Sequence, residues 1–165
     1  MRTVTSLRRV TAFFAAAMLV AGGNAALADK AISVSGDSTP SECGAPKKAD
    51  LGIAMTGSLT GCLAAFIQHA NCRELNGFAF YTELGREEFE GNLHGKPIKF
   101  DTQYTFTATF PSGACPITDF QKETAGGCIH YISGEKFEGL IRLHDVITPG
   151  QGSTNAFYEG FLTLD

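Results

Sequence analysis

An acidic motif recurs three times along the chain. An aromatic residue, a glutamate, a glycine, a variable residue and an apolar residue follow in that order at 89–93, 137–141 and 158–162. The glutamates are Glu90, Glu138 and Glu159. Three carboxylates could bind Ca²⁺, which takes several oxygen ligands, or could act as acid–base groups. Alternation along a strand instead points each glutamate away from its inward neighbours, so we expect all three on a solvated outer face.

His130 is the second candidate for chemistry, because the same alternation points its imidazole inward. In a predicted hairpin that turns at 134–135, Ile132 opposes Phe137 and His130 opposes Gly139. A neutral imidazole in an apolar lumen, beside the space left by a glycine, suits a general base or a group that orients a ligand. The alternative is a core histidine satisfied by a tyrosine hydroxyl or a backbone carbonyl.

Three other polar side chains have the parity of lumen residues and could contact a ligand together with His130. They are Thr102, Tyr104 and Tyr158. The chain has no Gly-x-Ser-x-Gly, His-Glu-x-x-His or Walker motif, so the common hydrolase and nucleotide-binding signatures are absent. It also has no zinc-type spacing of Cys and His, and we expect neither a metal site nor a cofactor.

The composition restricts the kinds of partner. The 165 residues include 13 Lys and Arg against 17 Asp and Glu, a formal net charge of -4, without a basic cluster. This balance argues against nucleic acid and anionic membrane surfaces as partners. Hydrophobic residues make up 44% of the chain, which is too high for a disordered protein. We expect the partner to be an apolar small molecule or another protein.

The strongest periodic pattern lies at 98–110. The even-numbered positions are apolar or aromatic apart from Thr102, and the odd-numbered positions are Thr, Lys, Asp or Gln. This period of two predicts a long strand with one buried and one wet face, as in an antiparallel sheet. Its length favours the tilted strands of a barrel.

Further strand patterns lie on both sides of this one. They cover 49–59, 61–68, 78–93, 127–133, 136–146 and 156–164. Turn residues separate them, and the sequence has no amphipathic helical stretch of useful length. Glycines in the recurring motif fit strands that bend around a small barrel, and Gly85 is predicted to mark a bulge. We therefore predict an all-β domain at 50–165, an antiparallel barrel of about seven to eight strands.

Two segments precede the predicted barrel. Residues 1–28 combine three arginines, an apolar run at 10–20 and Ala-Leu-Ala at 26–28, which is the pattern of a secretory signal. The Ala-Leu-Ala pattern predicts cleavage after Ala28, and we expect a secreted or periplasmic protein. Because the apolar run is too short to span a bilayer, we expect no membrane span. Because two of the arginines are adjacent, export by the twin-arginine route remains an alternative to the general secretory route. Residues 29–49 are rich in Ser, Pro and Lys and are predicted to form an extended, flexible tail.

All five cysteines follow the predicted signal. In an oxidising compartment they should pair and leave one over, and several pairings are possible. We expect Cys62–Cys72 and Cys115–Cys128, because each pair flanks one predicted connection and closes a short loop. Cys43 is then free, or it ties the tail to the body.

The aromatic-x-Gly repeats and the strand at 98–110 resemble those of the allene oxide cyclase-like and dirigent-like barrels, which are calycin-type. The resemblance covers about 51–164 and implies eight antiparallel strands, an apolar lumen and, often, secretion or oligomers. It also implies cyclisation chemistry that relies mainly on cavity shape with a few polar groups. None of the family's catalytic motifs matches residue by residue, so we transfer no catalytic residue. The chain has no Trp and so lacks the Gly-x-Trp hallmark of lipocalins.

Three functions are compatible with these patterns. The first is a barrel that binds an apolar small molecule or a protein partner without catalysis of its own. The second is a cyclase or isomerase that uses cavity shape and His130. The third is an envelope interaction or inhibitor module, in which the tail and the outer face matter more than the lumen. An open lumen on the order of several hundred Å³ favours the first two, and a filled lumen favours the third.

Overall fold

A computed structural model of the protein describes residues 31–134, 136–148 and 150–164. The predicted signal at 1–28, its cleavage site and Glu135 of the predicted turn lie outside these residues. Within them the chain is all-β apart from one short 3-10 helix, which confirms the predicted fold class. No helix in the described ranges is long and apolar enough to cross a membrane.

Eight antiparallel strands form a closed barrel, in which each strand pairs with the next and the last pairs with the first. They are β1 (Ala31–Pro40), β2 (Leu51–Gly57), β3 (Leu59–Leu75), β4 (Phe78–Leu93), β5 (Lys96–Pro111), β6 (Ala125–Ser133), β7 (Phe137–Thr148) and β8 (Gly152–Leu164). The 3-10 helix η1 (Phe120–Lys122) lies in the connection between β5 and β6. Because the barrel is closed, each of these eight strands is paired with a neighbour on both sides. None of them is therefore an edge strand open to another chain.

The segment predicted as a flexible tail contains β1, so that prediction is wrong for Ala31–Pro40. β1 pairs with β2 on one side and with β8 on the other. Its inward residues Val34 and Ser38 are each 2% exposed. The inward positions also include Gly36, where a Cβ would lie 2.7 Å from the hydroxyl oxygen of Tyr158. Because glycine and serine carry little hydrophobic signal, the period of two in β1 was not recognised. The predicted domain therefore began at residue 50, after this strand.

β5 shows the predicted alternation. Six inward side chains are at most 7% exposed: Ile98, Phe100, Thr102, Tyr104, Ala108 and Phe110. The outward Lys99, Asp101 and Gln103 are exposed. The period of two therefore identified both the strand and its buried face.

The lumen is filled at one end of the barrel. There Phe89 and Phe100 stack with ring centroids 4.7 Å apart, and Leu59 is fully buried. The Tyr158 hydroxyl accepts a hydrogen bond from the Leu59 N–H at 2.8 Å and donates to the Thr56 carbonyl at 3.0 Å. The other end, here called the open end, is surrounded by the β1–β2, β3–β4, β5–β6 and β7–β8 connections.

The bulge predicted at Gly85 lies on the neighbouring strand instead. The β3–β4 register shifts between Ile67 and His69 of β3, and Ile67 opposes Gly85. Gly85 itself makes room for a ring, because a Cβ there would lie 2.5 Å from the Tyr104 side chain. This close approach lets the Tyr104 hydroxyl reach Glu83.

The β6–β7 hairpin differs by two residues from the predicted register. Ile132, not His130, opposes Gly139, and His130 opposes Ile141. The connection is longer than a two-residue turn, and an even slip keeps every side chain on its predicted face. His130 still points into the lumen, with Tyr104 opposite it on β5.

The disulfides are Cys43–Cys62 and Cys72–Cys115, so both predicted pairs are wrong. Cys62 and Cys72 both lie on the extended strand β3, where their ten-residue spacing separates them by roughly 33 Å. Cys128 is a buried free thiol, and all five cysteines lie in the described residues. The alternative in which Cys43 ties the preceding segment to the body is confirmed. Two disulfides fit an oxidising environment.

Candidate functional site

The open end contains a cavity of about 390 Å³ to which all eight strands contribute. Most of its wall is apolar: Leu51, Ile53, Ala65, Ile67, Phe106, Phe120, Leu143 and Ala156. Ligand pockets in proteins usually have volumes of about 300–1,000 Å³ and mostly apolar linings. The volume and the lining therefore fit a small-molecule site.

The β5–β6 connection covers part of the open end. Phe120 of η1 lines the cavity and packs edge-on against Tyr81 and Phe110, with ring centroids 5.5 and 5.7 Å apart. The bond between Cys72 and Cys115 fixes the start of this connection to β3. The cover is thus held by a covalent bond and by aromatic packing.

A buried Glu87–His130 pair lies in the inner wall of the cavity. His130 Nδ1 is 2.6 Å from Glu87 Oε2, and each side chain is 2% exposed. The Thr102 hydroxyl donates to the same carboxylate oxygen. Because an ionised carboxylate only accepts, the contact with Glu87 places a proton on Nδ1. Nε2 is buried and has no hydrogen-bond partner among the described residues, so the cavity wall contains an unpartnered polar atom.

Glu83 forms a second polar group in the wall, next to two phenols. The Tyr104 hydroxyl donates to Glu83 Oε1 at 2.6 Å, and the Tyr81 hydroxyl donates to Glu83 Oε2 at 2.7 Å. Burial, and then the Glu83 carboxylate, raise the pKa of both tyrosines far above their usual value. Both phenols therefore stay protonated, and their protons are committed to Glu83.

A pair of carboxyl groups, Glu123 and Asp145, lies near the mouth of the cavity. Glu123 is 5% exposed. A Cβ on Gly126 would overlap Glu123 Oε1 and lie 2.5 Å from Asp145 Oδ2, so the glycine makes room for both groups. Burial, and then the Asp145 charge, raise the pKa of Glu123 to about 8. Burial also raises the pKa of Asp145, against the opposing effects of hydrogen bonds and of His144.

The same two carboxyl groups are unsatisfied when both are ionised. Glu123 Oε1 and Asp145 Oδ2 have no partner within the described part of the chain. Carboxylate oxygens only accept, so two of them cannot satisfy one another. A single proton on Glu123 would turn this contact into a hydrogen bond, and the pair therefore holds one proton near neutral pH.

Cys128 lies between these groups but is chemically quiet. Its thiol lines the cavity and is 9% exposed. Burial, and then the nearby Glu87 carboxylate, raise its pKa well above the usual range. Since the thiolate is the nucleophile and the metal ligand, a thiol in this environment is unsuited to either role. Among the described residues no group of His, Cys, Asp and Glu has the arrangement of a metal site.

The four predicted lumen residues are all buried, but only two line the cavity. Tyr104 and His130 lie in its wall. Thr102 lies deeper and supports Glu87, and Tyr158 belongs to the filled end. The structure thus brings Thr102, Tyr104 and His130 together around the two inner glutamates and separates Tyr158 from them.

The three recurring glutamates lie on the outer face, as predicted. Glu90, Glu138 and Glu159 are exposed. Glu90 forms a surface ion pair with Lys99 at 2.7 Å, and Glu159 lies 3.5 Å from His144. Exposed pairs of this kind contribute little to stability or chemistry.

The carboxyl groups that do line the cavity were missed by the sequence analysis. Glu83 and Glu87 have the parity of Phe89, so the alternation that points Phe89 inward also points these glutamates inward. Asp145 has the inward parity of its strand and lines the cavity. Following the parity along both strands would have found these three residues. Glu123 lies in a connection, where no periodic signal could have found it.

Comparison with known proteins gives no relative for this barrel: no protein-family model, no curated protein and no solved structure matches the chain.

Proposed function

We propose that this protein binds a small, largely apolar ligand in the cavity at the open end of its barrel. The observation that carries the proposal is a cavity of about 390 Å³ with an apolar wall and a few convergent polar groups. The side chains at the filled end are closely packed, and the cavity is confined to the open end. The cavity is therefore a local feature and does not reflect poor packing of the whole core. Tyr104, Glu87 and His130 supply the polar groups that would orient a ligand.

The proposed site of action is outside the cytoplasm, in a secreted or periplasmic compartment. The support is the signal pattern at 1–28 together with the two disulfides. The relationship to allene oxide cyclase-like and dirigent-like barrels is part of the same proposal. An eight-stranded antiparallel barrel with an apolar cavity is compatible with it.

The test is a fluorescence titration of the purified protein with N-phenyl-1-naphthylamine, a neutral dye that brightens in apolar surroundings. We expect saturable binding to the wild type. Ala65→Phe places a phenyl ring in the cavity and should weaken binding at least tenfold. Ala125→Phe makes the same change at an exposed position of β6 and should leave binding unchanged. Absence of saturable binding, or equal binding by both variants, would contradict the proposal.

A second candidate is acid–base catalysis on the bound ligand, and the Glu87–His130 pair favours it. In its neutral form His130 could take a proton from the ligand at Nε2, and the Glu87 carboxylate would stabilise the imidazolium that forms. Return of the proton to another ligand atom would complete an isomerisation with no net gain or loss of atoms.

This second candidate has a direct test. Ketones that displace the dye are incubated with the protein in D₂O, and exchange of their acidic C–H protons is followed by NMR. Exchange that the wild type accelerates and His130→Gln does not would support catalysis. Equal exchange with both proteins would leave the site as a binding site.

A further inference from the structure

Four carboxyl groups line the cavity: Glu83, Glu87, Glu123 and Asp145. None of the described lining residues is Lys or Arg. Among the described lining residues His130 is the one basic group, and its Nδ1 already lies 2.6 Å from Glu87 Oε2. Apolar walls lower the local dielectric and strengthen the field of these carboxylates. The cavity should therefore attract cations and repel anions.

The hydrogen-bonding groups of the wall show the same bias. The hydroxyls of Tyr81, Tyr104 and Thr102 already donate to glutamates. The buried lining atoms without a partner among the described residues are His130 Nε2, Glu123 Oε1 and Asp145 Oδ2. The buried, unpartnered Nε2 of His130 in the cavity wall is a second observation, independent of the acidic cluster. A ligand that satisfies this wall has to bring donors.

The Glu123–Asp145 pair is the natural place for the charge of such a ligand. Two facing carboxyl groups without a cation retain a proton, because two adjacent buried negative charges are unfavourable. An ammonium group supplies both the positive charge and several N–H donors, so it can take the place of that proton. Phe106, Phe120 and Leu143 form apolar wall in the same cavity and can receive a hydrocarbon body.

We infer that the ligand of this cavity is an apolar amine, whose protonated nitrogen lies between Glu123 and Asp145 and whose hydrocarbon body fills the apolar wall. His130 Nε2 is then free to contact a polar group at the inner end of the ligand. This inference rests on the proposed binding function and adds the chemical class of the ligand.

The experiment compares three competitors with one carbon skeleton: decylamine, decanol and decanoate. Each displaces N-phenyl-1-naphthylamine from the full-length mature protein at pH 7, below its micellar concentration. We expect decylamine to bind at least tenfold more tightly than decanol, and decanoate to bind most weakly. Calorimetry in two buffers should show release of about one proton on decylamine binding and none on decanol binding.

Variants locate the charge. Asp145→Asn and Glu123→Gln should each reduce decylamine affinity at least tenfold, to the level of decanol, and leave decanol binding unchanged. Asp101→Asn makes the first of these changes on the exposed outer face of β5 and should have no effect. Retained decanol binding reports that a variant is folded, so a lost amine preference cannot be attributed to unfolding.

The failures are distinguishable. Decanol equal to decylamine, or decanoate tighter than both, would overturn the amine inference while leaving the binding function in place. Absence of dye binding by the wild type would overturn the binding function itself. Displacement of the dye by Ca²⁺ alone, with the same proton release, would overturn the inference in favour of a metal site.

Discussion

Glu123→Gln should make the protein more stable at alkaline pH, because it removes an ionisable group from a buried position. The pKa of Glu123 is raised from 4.5 to about 8 in the folded state. An acid whose pKa is raised on folding stabilises the fold below the unfolded value, and this stability is lost as the pH rises through the folded value. The wild type should therefore lose stability between about pH 4.5 and pH 8.

The magnitude follows from the size of the shift. Each unit of pKa difference corresponds to about 1.4 kcal/mol, so the full shift corresponds to about 5 kcal/mol. Water that enters the cavity screens the pair, and we expect about 2–4 kcal/mol in practice. The side-chain amide that Glu123→Gln introduces donates to Asp145 at every pH, as protonated Glu123 does, and it cannot ionise.

The assay is urea denaturation with the disulfides intact, at pH 5, 7 and 9, for the wild type, Glu123→Gln and Glu138→Gln. Glu138 is exposed on the outer face and controls for the change in net charge. Between pH 5 and pH 9 we expect the free energy of unfolding to fall equally for the wild type and Glu138→Gln. It should fall clearly less for Glu123→Gln. Parallel pH profiles for all three proteins would refute the proton-sharing pair.

Three further outcomes follow from the packing. Tyr158→Phe should cost about 1–3 kcal/mol in urea denaturation, because the buried Leu59 N–H loses its acceptor, and an unchanged midpoint would contradict the filled end. Replacing Cys72 and Cys115 by Ser opens a link between residues 43 apart and should cost roughly 4 kcal/mol by the chain-entropy estimate; an unchanged thermal midpoint would count against it. Cys128 should react with a thiol reagent much more slowly than an exposed cysteine, because burial and the nearby Glu87 carboxylate raise the pKa of its thiol, and rapid labelling of the native protein would contradict this.

The sequence predicted what depends on local alternation. Period two in β5 identified the strand and its buried face, and the alternation around Phe89 in β4 placed Glu90 on the outer surface. The same rule, applied to Glu87, would have identified the inner site. It failed for β1, because Gly36 and Ser38 occupy inward positions without an apolar side chain.

The sequence could not predict what depends on the pairing of distant strands. The partner of Cys72 is set by where the β5–β6 connection crosses the open end, and that position depends on the whole barrel. The register of the β6–β7 hairpin depends on the turn between the two strands. One residue of this turn, Glu135, lies outside the described residues. The contact between Glu123 and Asp145 joins a connection to a strand and has no signature in either segment.

The central claim is that the open end of the barrel is a hollow that receives a ligand, and a crystal structure grown with N-phenyl-1-naphthylamine tests it most directly. We expect density for one dye molecule against Phe106, Phe120 and Leu143, with the filled end unchanged. A dye bound only outside the barrel, or an open end closed by its own side chains, would contradict the account.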